Sequence, residues 1–136
     1  MRAALTLLLT LLLAPAALAC SCAETTAKEN FANAAAVLTG KVVKLEVIRE
    51  ENGVNTIEAK VRVIESRKGG LVTSELLTFV TSDGCCYCSF EYTIGATYLL
   101  YAYRADDHWS TSACTRSGIV GRGETNKDLE ELGFSR

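Results

Sequence analysis

Ile57-Glu58-Ala59-Lys60-Val61-Arg62-Val63-Ile64 follows closely on Asn52-Gly53, the residue pair most characteristic of a two-residue β-hairpin. On an extended chain Ile57, Ala59, Val61 and Val63 fall on one face. Glu58, Lys60, Arg62 and Ile64 fall on the other. Residues 38–49, rich in Val, Leu and Ile, supply the partner arm, and Gly40 inside them marks a bend or bulge. A half-buried antiparallel hairpin is therefore the starting point for the fold.

Lys68-Gly69-Gly70 ends the second arm, and further strands are expected over residues 76–80, 97–103 and 109–113, with Asp106-Asp107 as a turn. Residues 81–92 carry three cysteines and Asp83-Gly84, which predicts a pinned loop. Before the strands, residues 24–37 suit a helix capped by Thr25 or Thr26, with Phe31, Ala34, Ala35 and Leu38 at helical spacing. A last helix over 126–132 is closed by Gly133. Tyr98, Tyr101, Tyr103 and Trp109 are assigned to the core and wall. The expectation is a mainly β protein: a five-stranded OB barrel with an N-terminal and a C-terminal helix, stabilised by disulfides.

Residues 1–19 read as an export signal. Met1-Arg2 precedes an apolar run over 3–13, broken only by Thr6 and Thr10, and Ala17-Leu18-Ala19 is a small-residue cleavage pattern. A retained anchor is the alternative. Cleavage after Ala19 leaves residues 20–136 as one domain and removes only Arg2 from the charges. Lys+Arg then falls from 14 to 13 against 16 Asp+Glu, a net charge of −3 with no basic stripe, which excludes a nucleic-acid surface. All six cysteines (Cys20, Cys22, Cys85, Cys86, Cys88 and Cys114) lie in the exported part. An even count there reads as disulfides, with the pairing open. Zinc would need ligand clusters in a reducing compartment, and His108 is the one histidine available to help. The localisation expected is secreted, extracellular or periplasmic.

The chemistry is concentrated at the new terminus. A free α-amine on Cys20, with an ordinary pKa of about 7.7–8.0, is partly neutral near physiological pH and can coordinate a metal. With the Cys20 carbonyl oxygen it forms a five-membered chelate, and a catalytic zinc in a protease keeps an open position for such ligands. Disulfides at Cys20 and Cys22 would hold the terminal tripeptide rigid and lower the entropy lost on binding.

Cys20-Ser21-Cys22 resembles the Cys-x-Cys start of the tissue inhibitors of metalloproteinases. Phe31 and the run from Ala34-Ala35-Ala36-Val37-Leu38-Thr39-Gly40 to Lys41-Val42 resemble the first helix and strand of the bacterial branch of that netrin-like group. Cys88, Gly95 and Tyr98-Leu99-Leu100-Tyr101-Ala102 are similar to its Cys-Gly-Tyr-Leu strand. Ser112-Ala113-Cys114-Thr115-Arg116 resembles the element bearing the next disulfide partner. The resemblance implies an OB barrel with Cys20 paired to Cys88 and Cys22 paired to Cys114. Cys85 and Cys86 either bridge each other, or one of them replaces Cys88. It further implies a non-enzymatic, monomeric inhibitor whose protein partner is a zinc metalloproteinase. The Cys20 amine and carbonyl would bind the target's zinc, and Ser21 would enter the specificity pocket. Cys22 and Ala23 would continue the binding ridge, with residues 81–87 beside it. No cofactor and no catalytic residue of its own is implied.

Rival readings are separable. Ala17-Leu18-Ala19-Cys20 partly resembles a lipobox, but lipidation at Cys20 would anchor the chain, block the amine and leave five cysteines, an odd number. An OB-type interaction module without inhibition would not depend on the Cys20 terminus. The Cys85-x-x-Cys88 spacing suits a thiol oxidoreductase only at a helix N-terminus, and here it lies between strands. His108 beside Asp107 reads as a solvated turn. Glu124, Asp128, Glu130 and Glu131 read as the wet face of the last helix. Intact mass and N-terminal sequencing of the exported protein are expected to find a free amine on Cys20 and a mass six hydrogens below that of the reduced chain. An acylated Cys20, or any other first residue, would remove the chelating amine.

Overall fold

Asn52 and Gly53 turn with φ of 53° and 75°, both in the left-handed region, as a primed hairpin turn requires. They join β1 (Ala36–Glu51) to β2 (Val54–Lys68), two long strands paired from Glu51↔Val54 to Val37↔Lys68. The computed structural model describes residues 20–84 and 88–135. The export-signal reading of 1–19 and the expected roles of Cys85 and Cys86 lie outside those residues.

On the expected inward face of the hairpin Ala59, Val61 and Val63 are fully buried and Ile57 is half-buried, and Ile64 on the other face is exposed. The register of β1 against β2 shifts at Thr39/Gly40, the irregularity expected at that glycine. A Cβ built on Gly40 would sit 2.5 Å from Val61 Cγ1, so the close approach of β1 and β2 here admits no side chain.

The remaining strands are β3 (Leu76–Asp83), β4 (Thr97–Ala105), β5 (His108–Ser110) and β6 (Gly118–Ile119). β2 pairs with β3, β3 meets β5 in parallel at Phe79↔Trp109, β5 pairs with β4, and β4 pairs back on β1 from Ala36↔Ala102 to Lys41↔Thr97. Five strands thus form a ring, with β6 added on β4.

Residues 36–40 of β1 and 98–102 of β4 are buried on both faces, which explains why neither stretch carries a charge. Leu38, Val42, Tyr98, Leu100 and Ala102 point into the ring with Val61, Val63 and Phe79. Val37, Leu99 and Tyr101 point outward, under a second cluster with Ala34, Leu129 and Phe134. Phe90, Tyr92 and Tyr98 add an edge-on aromatic cluster to the inner core, with ring centroids 4.9–5.7 Å apart. The core assignment of Tyr98 and Tyr101 stands, with Tyr103 and Trp109 half-buried at its margin.

Both helices belong to the outer cluster. α1 (Ala27–Asn33) begins with a reciprocal capping box between Thr26 and Glu29. Those hydrogen bonds hold the Glu29 carboxyl below its ordinary pKa, so the cap weakens as pH falls through that lowered value. The helix is shorter than the expected 24–37. Ala34 already has extended backbone, and Ala36, Val37 and Leu38 leave the helical pattern to pair with β4. α2 (Gly123–Glu131) starts three residues before the expected 126–132. It ends in a Schellman motif, with Phe134 N–H donating to the Leu129 carbonyl and Gly133 N–H to that of Glu130. Neighbouring β2 cations then serve the two helix ends. Lys68 Nζ donates to the carbonyls of Phe31 and Ala32 at 2.8 and 2.9 Å, and Arg67 donates to that of Gly133.

Strand boundaries also differ from expectation. β3 runs on to Asp83 because that carboxylate accepts both the backbone and side-chain N–H of Asn55. The last expected strand, 109–113, is cut to β5, and Ser112 instead makes an isolated bridge to Ser89. β6 was not legible, since a two-residue strand has no periodicity. Gly40→Ala should lower stability by about 1–3 kcal/mol through overpacking against Val61. Urea unfolding checks this as a fall in midpoint at unchanged slope.

Candidate functional site

Two loops at one end of the ring are joined before any cysteine is considered. Residues after β3 meet the loop after β5 at the Ser89↔Ser112 bridge, and Ala113 N–H donates to the Cys88 carbonyl at 2.9 Å. The Ser112 hydroxyl accepts from Cys114 N–H at 3.2 Å. Hydroxyls then tie this loop to β4. Thr111 donates to the Tyr101 carbonyl at 2.8 Å, and the Ser117 hydroxyl accepts from Tyr101 N–H at 2.9 Å. Thr111, Thr115 and Ser117 lie within hydrogen-bond distance of one another. Cys88 and Cys114 are therefore set side by side by backbone and hydroxyl contacts.

The N-terminal segment is fastened across them. Cys20 is bridged to Cys88 and Cys22 to Cys114, with Cα–Cα distances of 5.5 and 5.0 Å. The two bridges touch: Cys20 Sγ lies 3.7 Å from Cys114 Sγ and 3.9 Å from Cys22 Sγ. Cys20, Ser21, Cys22, Ala23 and Glu24 are all exposed and precede α1. The result is a short, solvent-facing ridge with covalent anchors at its first and third residues.

Arg116 locks the far end of that ridge. Its guanidinium donates to both Asp128 carboxylate oxygens at 2.6 and 2.8 Å and to the Thr25 carbonyl at 3.2 Å. Asp128 is 2 % exposed and also accepts from the Tyr101 hydroxyl at 3.0 Å. The hydrogen bonds to Asp128 push the Arg116 pKa up. Burial and the adjacent Asp128 carboxylate push the Tyr101 hydroxyl up as well. Arg116 and Asp128 together thus connect the disulfide loop, the N-terminal segment, α2 and β4.

This corrects the reading of Asp128 as part of the wet face of the last helix. Glu124, Glu130 and Glu131 are exposed, but Asp128 lies on the buried face with Thr125 and Leu129. The spacing of Thr125, Asp128, Leu129 and Leu132 was the available signal: one helical stripe containing a carboxylate. Arg116, two residues after Cys114, carried no such signal, because its partners lie on distant segments.

Beside Cys88 an open cleft of about 410 Å³ is lined by Thr56, Thr81, Ser82, Ser89 and Thr111. Thr81 and Ser82 begin the stretch expected beside the ridge. Their hydroxyls are engaged, with Thr81 donating to the Phe90 carbonyl and Ser82 within 3.0 Å of the Ser89 hydroxyl. His108 Nδ1 pairs with exposed Asp107 at 3.1 Å, and that contact holds the Asp107 carboxyl below its ordinary value. Residues 88–96 are not helical, and Cys85, the first cysteine of the Cys85-x-x-Cys88 spacing, lies outside the described residues.

A scan against protein-family models and a search of curated proteins both returned no match. The two disulfides are consistent with an extracellular or periplasmic protein. No helix among the described residues is long and apolar enough to cross a membrane. Arg116→Met should cost about 3 kcal/mol, because Asp128 would remain buried without its cation. Thermal unfolding should show part of that loss recovered in the Arg116→Met/Asp128→Leu pair.

Proposed function

We propose that the chain is a secreted, monomeric inhibitor of zinc metalloproteinases that works without chemistry of its own. On this reading the processed N-terminus at Cys20 supplies its α-amine nitrogen and carbonyl oxygen to the target's catalytic zinc. Ser21, short and polar, enters the adjoining specificity pocket. Cys22 and Ala23 lie along the cleft. The ring order β1-β2-β3-β5-β4, closed by β1–β4 pairing, supports an OB-type barrel as the scaffold.

The observation that carries the reading is the exposed ridge clamped by disulfides at residues 20 and 22. A free chain terminus pays about 0.5–1.5 kcal/mol for each side chain it orders on binding. Two bridges one residue apart remove most of that cost before the target is met. They also leave the backbone of residue 20 facing solvent, where a metal in an open cleft can reach it. Exposed Glu24 follows immediately, and it disfavours targets whose cleft rim is acidic.

The test compares protein starting at Cys20 with protein carrying one additional alanine before it, against a panel of zinc endopeptidases. The extension converts the amine to an amide, and loss of an interface anchor worth at least about 2 kcal/mol should weaken inhibition by roughly 30-fold or more. Equal inhibition by both forms would refute chelation. No inhibition of any panel member by the unextended form would overturn the functional reading.

A further inference from the structure

The sulfur atoms of Cys20, Cys22, Cys88 and Cys114 all lie within 4.8 Å of one another. Four thiolates around a tetrahedral zinc, at about 2.3 Å each, have sulfur–sulfur separations of about 3.8 Å. The contacts between the two bridges, 3.7 and 3.9 Å, already match that spacing. The two bonded pairs would have to part, and the Cα–Cα distances of 5.5 and 5.0 Å across them leave room for side-chain rotation. We propose that these four cysteines, once reduced, form a binding site for a zinc-class divalent cation.

Three features favour a built site over a chance cluster. Cys88 and Cys114 are held together by the Ser89↔Ser112 bridge and by Ala113 N–H on the Cys88 carbonyl, contacts made by the backbone and not by sulfur. The Arg116 contact to the Thr25 carbonyl returns the N-terminal segment to the same place. Cys20 and Cys22 are exposed while Cys88 and Cys114 are half-buried, so the metal has a route in and a partly shielded seat. The Cys20-x-Cys22 spacing is tighter than the two to four residues usual between paired zinc cysteines. The sulfur positions nevertheless suit four-coordination.

The site and the oxidised ridge are mutually exclusive uses of the same atoms. Reduction of each bridge by a phosphine takes one oxygen from water to give the phosphine oxide and leaves two thiols. Metal binding then releases thiol protons to solvent. The metal form holds the N-terminal segment in register while the bridges are open. This inference does not rest on protease inhibition, and its failure would leave that reading untouched.

The experiment uses purified protein carrying Cys85→Ser and Cys86→Ser, so that only the four clustered cysteines remain. After anaerobic phosphine reduction it is titrated with Co²⁺. The expected result is one Co²⁺ per chain, with intense thiolate-to-cobalt absorption and the visible bands of tetrahedral cobalt, displaced by Zn²⁺. Unreduced protein should show neither band. Further substitution of Cys22 or Cys114 by serine should weaken binding at least tenfold, since even an outer-shell change costs about 10–100-fold. Circular dichroism covers the case of an unfolded reduced chain, because a specific site restores β structure on metal addition. Weak octahedral cobalt spectra, or affinity indifferent to Cys22→Ser and Cys114→Ser, would overturn the proposal.

Discussion

The bidentate pair between Arg116 and buried Asp128 is the contact on which the site's geometry depends. A carboxylate taken out of water is tolerated only when its lone pairs are met, and here guanidinium and the Tyr101 hydroxyl meet them. Because Arg116 also reaches the Thr25 carbonyl, satisfying that charge fixes where the N-terminal segment leaves the surface. No buried side-chain polar atom among the described residues lacks a partner. The polar network is complete, which is the condition under which such a network rigidifies a structure.

The covalent anchors act on a different quantity. Cys20 and Cys88 are 68 residues apart in sequence, Cys22 and Cys114 are 92 apart, and chain-entropy reasoning assigns each such loop about 4 kcal/mol taken from the unfolded state. The ionic lock and the bridges therefore divide the work. One orients the segment in the folded protein, and the other makes alternatives to the folded protein costlier.

Legibility in the sequence followed the range of the interaction. The hairpin was readable because alternation and Asn52-Gly53 are local, and the cap at Thr26 was one of two residues named. The first helix was over-extended because alanines fit a helical stripe as well as a strand buried on both faces. Only the pairing of Ala36 and Val37 with β4 decides between those readings. Asp128 was misread because charge was weighed above position, and its cation sits twelve residues upstream on a loop. At the ridge, Cys20, Ser21, Cys22 and Ala23 were legible as a local motif, whereas the hydroxyl clamp of Thr111, Thr115 and Ser117 is a product of tertiary placement.

The long hairpin has one further consequence. β1 is flanked by β4 only as far as Lys41, with Val42 meeting the 95–96 turn, so beyond it one edge of the strand has no strand partner among the described residues. Such an edge, carrying exposed Val47 and Ile48, is a template for docking of a neighbouring chain and for aggregation. Lys44, Glu46, Arg49, Glu50 and Glu51 place charge along it, and register shifts at 42/44 and 47/49 break its flatness. These are the features that blunt sheet extension, so the reach of the hairpin into solvent is compatible with a chain that remains dispersed.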